Sequence, residues 1–285
     1  SETVVGELPH GEAQPAATAP ASAKARPKAA PAVRKLARDQ GIDLAGVAGS
    51  GVDGAITLED VKRAASPGEG YSAGERLRGP RRAMALAMQK AGAEVVPATL
   101  TSSADVTEWP NDQDVTVQLI SAVVEGCNAA PALNAWFRSG SLSILRHAEV
   151  HVGVAMDTDD GLFVPVIRNA GGMSTAELRN TVNELKEQVL SRRIPRERLT
   201  GQTITLSNFG TLVGDHASLV IMPPQVAILG AGQISEQVVP VNGTPAIRSI
   251  LPLSLTFDHR AVTGGDAAQF MKAVADNLEK NSGGG

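Results

Sequence analysis

The chain has 285 residues, 26 Lys and Arg against 30 Asp and Glu, and a net charge of −4, a length that accommodates one large domain beside a small one. An acidic chain with only 3% aromatic residues lacks the basic face and stacking rings of a nucleic-acid surface. No apolar run approaches the roughly 20 residues that cross a bilayer and no signal-peptide pattern opens the chain. A single cysteine, Cys127, leaves no intramolecular disulfide, so a reducing, cytoplasmic setting is expected.

In chain order, residues 1–30 read as an Ala/Pro-rich linker, with Pro15, Pro20 and Pro27 stiffening a stretch that cannot bury enough side chain to offset its ordering entropy. Residues 31–65 read as a small two-helix unit. Its first helix spans 31–40, with Pro31 at an early helical position and Gly41 as the C′ residue. The second starts at the N-cap Thr57, with Asp60 completing a capping box in place of the usual Glu. The turn-rich loop 49–54 joins them. Arg34, Lys35 and Arg38 lie on neighbouring turns of the first helix, and Arg34 and Arg38, four apart, share a face. A unit of about 35 residues is very small for an independent fold and suits a docking module.

A second linker covers 66–75, and a large domain covers 76–281. Within it the pattern predicts a helix over 81–91, a strand over 98–106 and a strongly apolar helix over 115–129. Cys127 falls on that helix's apolar stripe with Val117, Ile120 and Val124, which marks it as a buried structural thiol. Strands are predicted over 149–156, 162–166, 203–206 and 250–257. An amphipathic helix over 175–191 carries Leu178, Val182, Leu185 and Val189, and a last helix spans 266–278. The order is not a regular βαβ alternation, so the expected fold is an α/β sandwich with a mixed sheet.

The chemistry concentrates at two strand ends. His259 follows the apolar run 250–257, interrupted only by Ser254 and Thr256, and precedes Gly264-Gly265 and the last helix. Rigid elements on both sides can aim its side chain. An imidazole near pKa 6.5 can accept a proton from a thiol near pKa 8.5 and return it. Ser207 stands at the end of the strand over 203–206, with Asn208 and Gly210 shaping the turn that follows. His10, His147, His151 and His216 show no zinc-ligand spacing, and no metal is expected.

The segments DHRAVTGG (258–265), ITLSNFG (204–210), PPQVAILGAG (223–232) and DGLFVPVIRNA (160–170) resemble, in order, the catalytic domain of the dihydrolipoamide acyltransferases of 2-oxo acid dehydrogenase complexes. PAVRKLARDQGIDL and GSGVDGAIT resemble the peripheral subunit-binding domain of the same proteins. The resemblance implies a chloramphenicol-acetyltransferase-like two-layer sandwich and transfer of an acyl group from a dihydrolipoyl arm to coenzyme A as substrate. It implies His259 as the base and Ser207 as the oxyanion donor. It also implies a homotrimer or larger trimer-based core, with the histidine and serine of each site on neighbouring subunits. Arg34, Lys35 and Arg38 would dock dihydrolipoamide dehydrogenase, the 2-oxo acid decarboxylase component, or both.

Three departures stand out. The family's Asp or sometimes Asn, four residues after the histidine, is here Thr263, which is expected to serve the turn. The arginine often found after the docking loop's last glycine is here Ala55, and Asp53 adds a negative charge beside it. No Asp-Lys pair exists, so the lipoamide arm is not on this chain; its domain was removed or not included, or another subunit supplies it. A catalytically silent scaffold and a free-standing coenzyme A-dependent acyltransferase are the alternatives, and the docking module argues against the second.

Overall fold

The computed structural model describes residues 28–65, 77–159, 161–212 and 214–280. The expected linkers at 1–30 and 66–75 fall almost wholly outside the described residues. The chain divides between Arg76 and Leu77 into two compact units.

The small unit contains α1 (Pro31–Asp39) and α2 (Leu58–Ala65), as the pattern predicts. Pro31 opens α1, where its missing N–H costs nothing, and Gly41 turns the chain out of it with φ +68°. Among the described residues, Val33, Ala37, Ile56 and Val61 form the unit's small buried apolar core. A polar anchor supplements it. The buried carboxylate of Asp60 accepts from Ser50 N (2.9 Å), Ser50 Oγ (2.8 Å), Thr57 N (3.0 Å) and Thr57 Oγ1 (2.9 Å). The predicted capping box therefore also ties the connecting loop to α2. These donors, the Ser50 backbone N–H foremost, hold the Asp60 carboxyl well below the ordinary carboxylate range.

The large unit runs α3 (Gly79–Glu94), β1 (Pro97–Asp105), α4 (Val115–Ala129), β2 (Ala135–Arg138), β3 (Ser143–Arg146), β4 (Val152–Val154), β5 (Met156–Thr158), β6 (Gly161–Phe163), β7 (Val166–Ile167), α5 (Thr175–Leu190), β8 (Ile204–Asn208), β9 (Ala227–Ala231), β10 (Ser235–Val241), β11 (Thr244–Asp258) and α6 (Gly264–Lys280). The main sheet is mixed, in the order β1-β11-β9-β8-β4-β7, with β10 on the far half of β11. β8 pairs in parallel with β9 and β4; the other pairings are antiparallel. Period-2 alternation sorts β11 between two layers. Leu251, Leu253, Leu255 and Phe257 join the core formed with Leu119, Ile120 and Val123 of α4 and Phe270, Met271 and Val274 of α6. On the opposite face Ser254 Oγ accepts from Ala217 N (3.2 Å) and Thr256 Oγ1 from Leu219 N (3.0 Å). The two hydroxyls that interrupt this apolar strand thus dock the 214–221 segment onto the sheet.

Three expectations change. The strand over 149–156 is broken: β4 keeps only Val152–Val154, and β5 and β6 form a separate hairpin. The strand over 162–166 splits likewise, because Pro165 has no N–H for the ladder and pairing with β4 resumes only at Val166. β11 also begins six residues earlier than predicted. Its polar first half pairs with β10 through Asn242-Gly243, both at positive φ (50° and 81°), as a two-residue hairpin turn requires.

Candidate active site

His259 is exposed, one residue past the end of β11. Its position is fixed on every side. Its own N–H donates to Val96 O at 2.9 Å, and Asp258 N donates to Val226 O at 2.8 Å. Asp258 O accepts from Ala261 N and Val262 N, closing the turn. The side chains before and after His259 clasp each other: Arg260 Nε and Nη2 donate to the Asp258 carboxylate at 2.9 and 2.6 Å, and Arg260 N donates to it at 3.1 Å. The Asp258 side chain is 2% exposed and that of Arg260 29%. The imidazole itself packs at 5.5 Å from the Phe257 ring and makes no side-chain hydrogen bond among the described residues.

Thr263 does not act on that imidazole through a hydrogen bond. Its hydroxyl donates to Asp266 Oδ2 at 2.6 Å, its N–H donates to the same oxygen at 3.0 Å, and Asp266 N returns a bond to Thr263 Oγ1 at 3.2 Å. Thr263 caps α6, which begins at Gly264, two residues before the predicted start. The hydrogen bonds from Thr263 lower the Asp266 pKa, so the cap carries a charge.

Ser207 is half-buried in β8, next to last, and its hydroxyl has no partner among the described residues. It pairs with Gly230 of β9, on the face where a Cβ at Gly230 would strike Leu219 Cδ1 at 2.6 Å and Phe209 Cε1 at 2.9 Å. The turn after Ser207 is tight because Asn208 Oδ1 accepts from Gly210 N at 3.2 Å. A Cβ on Gly210 would fall 2.3 Å from Gly232 O, so the two glycines let the turn and the end of β9 meet backbone to backbone.

One chain does not bring His259 and Ser207 together. Ser207 pairs with Gly230, and Gly230 with Ser254, which is five residues short of His259. At about 3.3 Å per residue along a strand and 4.8 Å between strands, the two lie roughly 19 Å apart. Hydrogen-bond contact through a shared reacting group needs about 3 Å at each end.

The other titratable candidates have structural partners. His151 Nδ1 accepts from Asn169 N at 3.0 Å, and His216 Nδ1 lies 3.3 Å from Ser254 Oγ. The His147 ring packs edge-on to Trp136, and burial lowers its pKa. Cys127 is buried in α4, where desolvation pushes its thiol far above the ordinary range and leaves it unreactive. On the small unit Arg34, Lys35 and Arg38 are all exposed on α1, and Arg34 Nε donates to Ala29 O at 3.1 Å.

The fold and these two strand-end sites belong to a known class of acyl-transferring catalytic domains. The family model described as 2-oxoacid dehydrogenases acyltransferase (catalytic domain) matches residues 70–283, and the chain belongs to that family. A second model, the e3 binding domain, matches residues 27–62. The chain is 35% identical over 285 residues to the lipoamide acyltransferase component of the branched-chain alpha-keto acid dehydrogenase complex of Pseudomonas aeruginosa, covering 89% of this chain and 66% of that one. It is 34% identical over 282 residues to the dihydrolipoyllysine-residue acetyltransferase component of the acetoin cleaving system of Bacillus subtilis, covering 90% and 70%. The chain therefore spans about two thirds of the length of these relatives. Among solved structures, the dihydrolipoamide acetyltransferase of Azotobacter vinelandii superposes with TM-score 0.68 at 29% identity over 76% of this chain and 96% of that one. A serine, a histidine and an asparagine of that enzyme were investigated for their role in its catalytic mechanism.

Proposed function

We propose that this chain is a dihydrolipoamide S-acyltransferase that moves an acyl group from a dihydrolipoyl arm to coenzyme A, within a 2-oxo acid dehydrogenase complex whose core it forms. One observation carries the reading. The serine and histidine investigated in the Azotobacter enzyme are 52 residues apart, and its histidine and asparagine four apart; Ser207, His259 and Thr263 repeat both intervals. The third position is uncharged in both chains, which removes the need for an acid beside His259.

His259 takes the proton from the coenzyme A thiol as its sulfur attacks the thioester carbonyl. Ser207 donates a hydrogen bond to the oxyanion of the tetrahedral intermediate, a contribution of about 3–4 kcal/mol for one preorganised donor. Collapse breaks the bond to the dihydrolipoyl sulfur, which leaves with the proton returned by His259. No step uses a metal.

Because about 19 Å separates the two groups within a chain, the working site combines His259 of one subunit with Ser207 of the next, in a trimer or multiple of trimers. Two long carriers can then enter from opposite ends and meet thiol to thiol. Residues 31–65 dock a partner enzyme through Arg34, Lys35 and Arg38. A silent scaffold is the competing reading, favoured only by the commitment of Thr263 to Asp266. Thiol exchange between free dihydrolipoamide and an acyl-coenzyme A separates the two: turnover abolished by His259→Ala supports the enzyme, and no turnover in the natural chain supports the scaffold.

A further inference from the structure

The clasp that brackets His259 has a third member. β2 is tied to the segment just before β9 through Phe137 N, which donates to Pro224 O at 2.8 Å, and through the bridge between Trp136 and Gln225. This places the buried Phe137 ring under Arg260, whose guanidinium carbon lies 4.4 Å from the ring centroid. Arg260 is thus held in its plane by the Asp258 carboxylate and on one face by the π-cloud of Phe137. A guanidinium hydrogen-bonded by its edge can still tilt about those bonds. The ring opposes that tilt and keeps water from that face of the ion pair.

We propose that Phe137 is a positioning residue for acyl transfer: its ring, beneath Arg260, holds the Asp258–Arg260 clasp that sets the backbone on both sides of His259. The inference rests on the reading of His259 as the base. It assigns a role to a hairpin that lies outside the main sheet and carries no reacting group.

Its distinguishing property is electronic. A packing residue is judged by volume and apolarity, whereas a cation–π partner is judged by the negative potential of its face. Fluorination withdraws that potential while the ring's shape is nearly kept. We would therefore replace Phe137 in the full chain with 4-fluoro-, 3,5-difluoro- and pentafluorophenylalanine, and measure kcat and KM for thiol exchange at a temperature where circular dichroism shows every variant folded. The expected result is a stepwise fall in kcat, on the order of three- to tenfold at pentafluorophenylalanine, with KM for dihydrolipoamide and for the acyl-coenzyme A unchanged. Phe137→Leu should do at least as much harm and Phe137→Trp should retain most of the rate. A kcat that stays flat across the fluorinated series overturns the proposal, as does a fall that follows thermal stability alone. His259→Ala serves as the control: if that variant keeps its rate, the base assignment fails; if it is inactive while the series is flat, only the role of Phe137 fails.

Discussion

Mixing two inactive variants gives the most direct quantitative check on the shared site. His259→Ala removes the base, a loss of about 10²–10⁴ in rate, and Ser207→Ala removes the oxyanion donor, about 10²–10³. Each homogeneous assembly should run at or below about 1% of the natural rate. The register between β8, β9 and β11 keeps the two groups in one chain roughly 19 Å apart, so neither chain can complete its own site. In a ring of head-to-tail contacts, a competent site forms only where a Ser207→Ala chain supplies His259 to a His259→Ala chain supplying Ser207. Equal amounts assembling at random place that combination at about one site in four. Co-expression of the two chains under different tags, tandem purification and a thiol-exchange assay should therefore recover about a third of the natural rate if the selected assembly is a single trimer, and about a quarter if it is a large multiple of trimers, some twenty-five-fold or more above either parent. A mixture no more active than its parents, with mixed assemblies present, would refute the shared site.

Other perturbations test separate parts of the reasoning. Thr263→Asp keeps an acceptor for Asp266 N but loses the hydroxyl that donates to the Asp266 carboxylate, so it should loosen the α6 cap and raise kcat less than about tenfold, whereas Thr263→Ala should cost roughly 1 kcal/mol of stability, read from thermal unfolding. Arg34→Ala combined with Arg38→Ala should weaken binding of the partner dehydrogenase, and binding by the natural chain should itself weaken as salt rises, both read by calorimetry. The Asp60 carboxyl is held below its unfolded value of about 3.9, so its contribution to the small unit is complete above that pH and is lost as pH falls below it. Amide protection factors in the small unit, corrected for intrinsic exchange, should fall in that window, and Asp60→Asn, which cannot carry the charge, should flatten the dependence.

Much of this molecule is written locally. Pro31 and the Thr57–Asp60 box mark the helices of the small unit because caps and fixed φ act within one turn. The apolar stripe through Cys127 marks α4 for the same reason: burial at helical spacing is a property of neighbours in sequence. The hairpin at Asn242-Gly243 was not anticipated, because β10 is too polar for alternation to reveal it, although the dipeptide itself carries a turn signal. His259 and Ser207 could be singled out as strand-end residues. Their separation could not, because it depends on which strands pair and in what register, a choice made by side chains far apart in sequence. The same holds for Phe137, whose ring meets Arg260 across 123 residues. Sequence alone determined the residue types that can do the chemistry and the local elements that present them. Tertiary structure decided which of them meet, because strand order and register are settled by the cooperative burial of a whole sheet, and that burial leaves His259 and Ser207 of one chain roughly 19 Å apart.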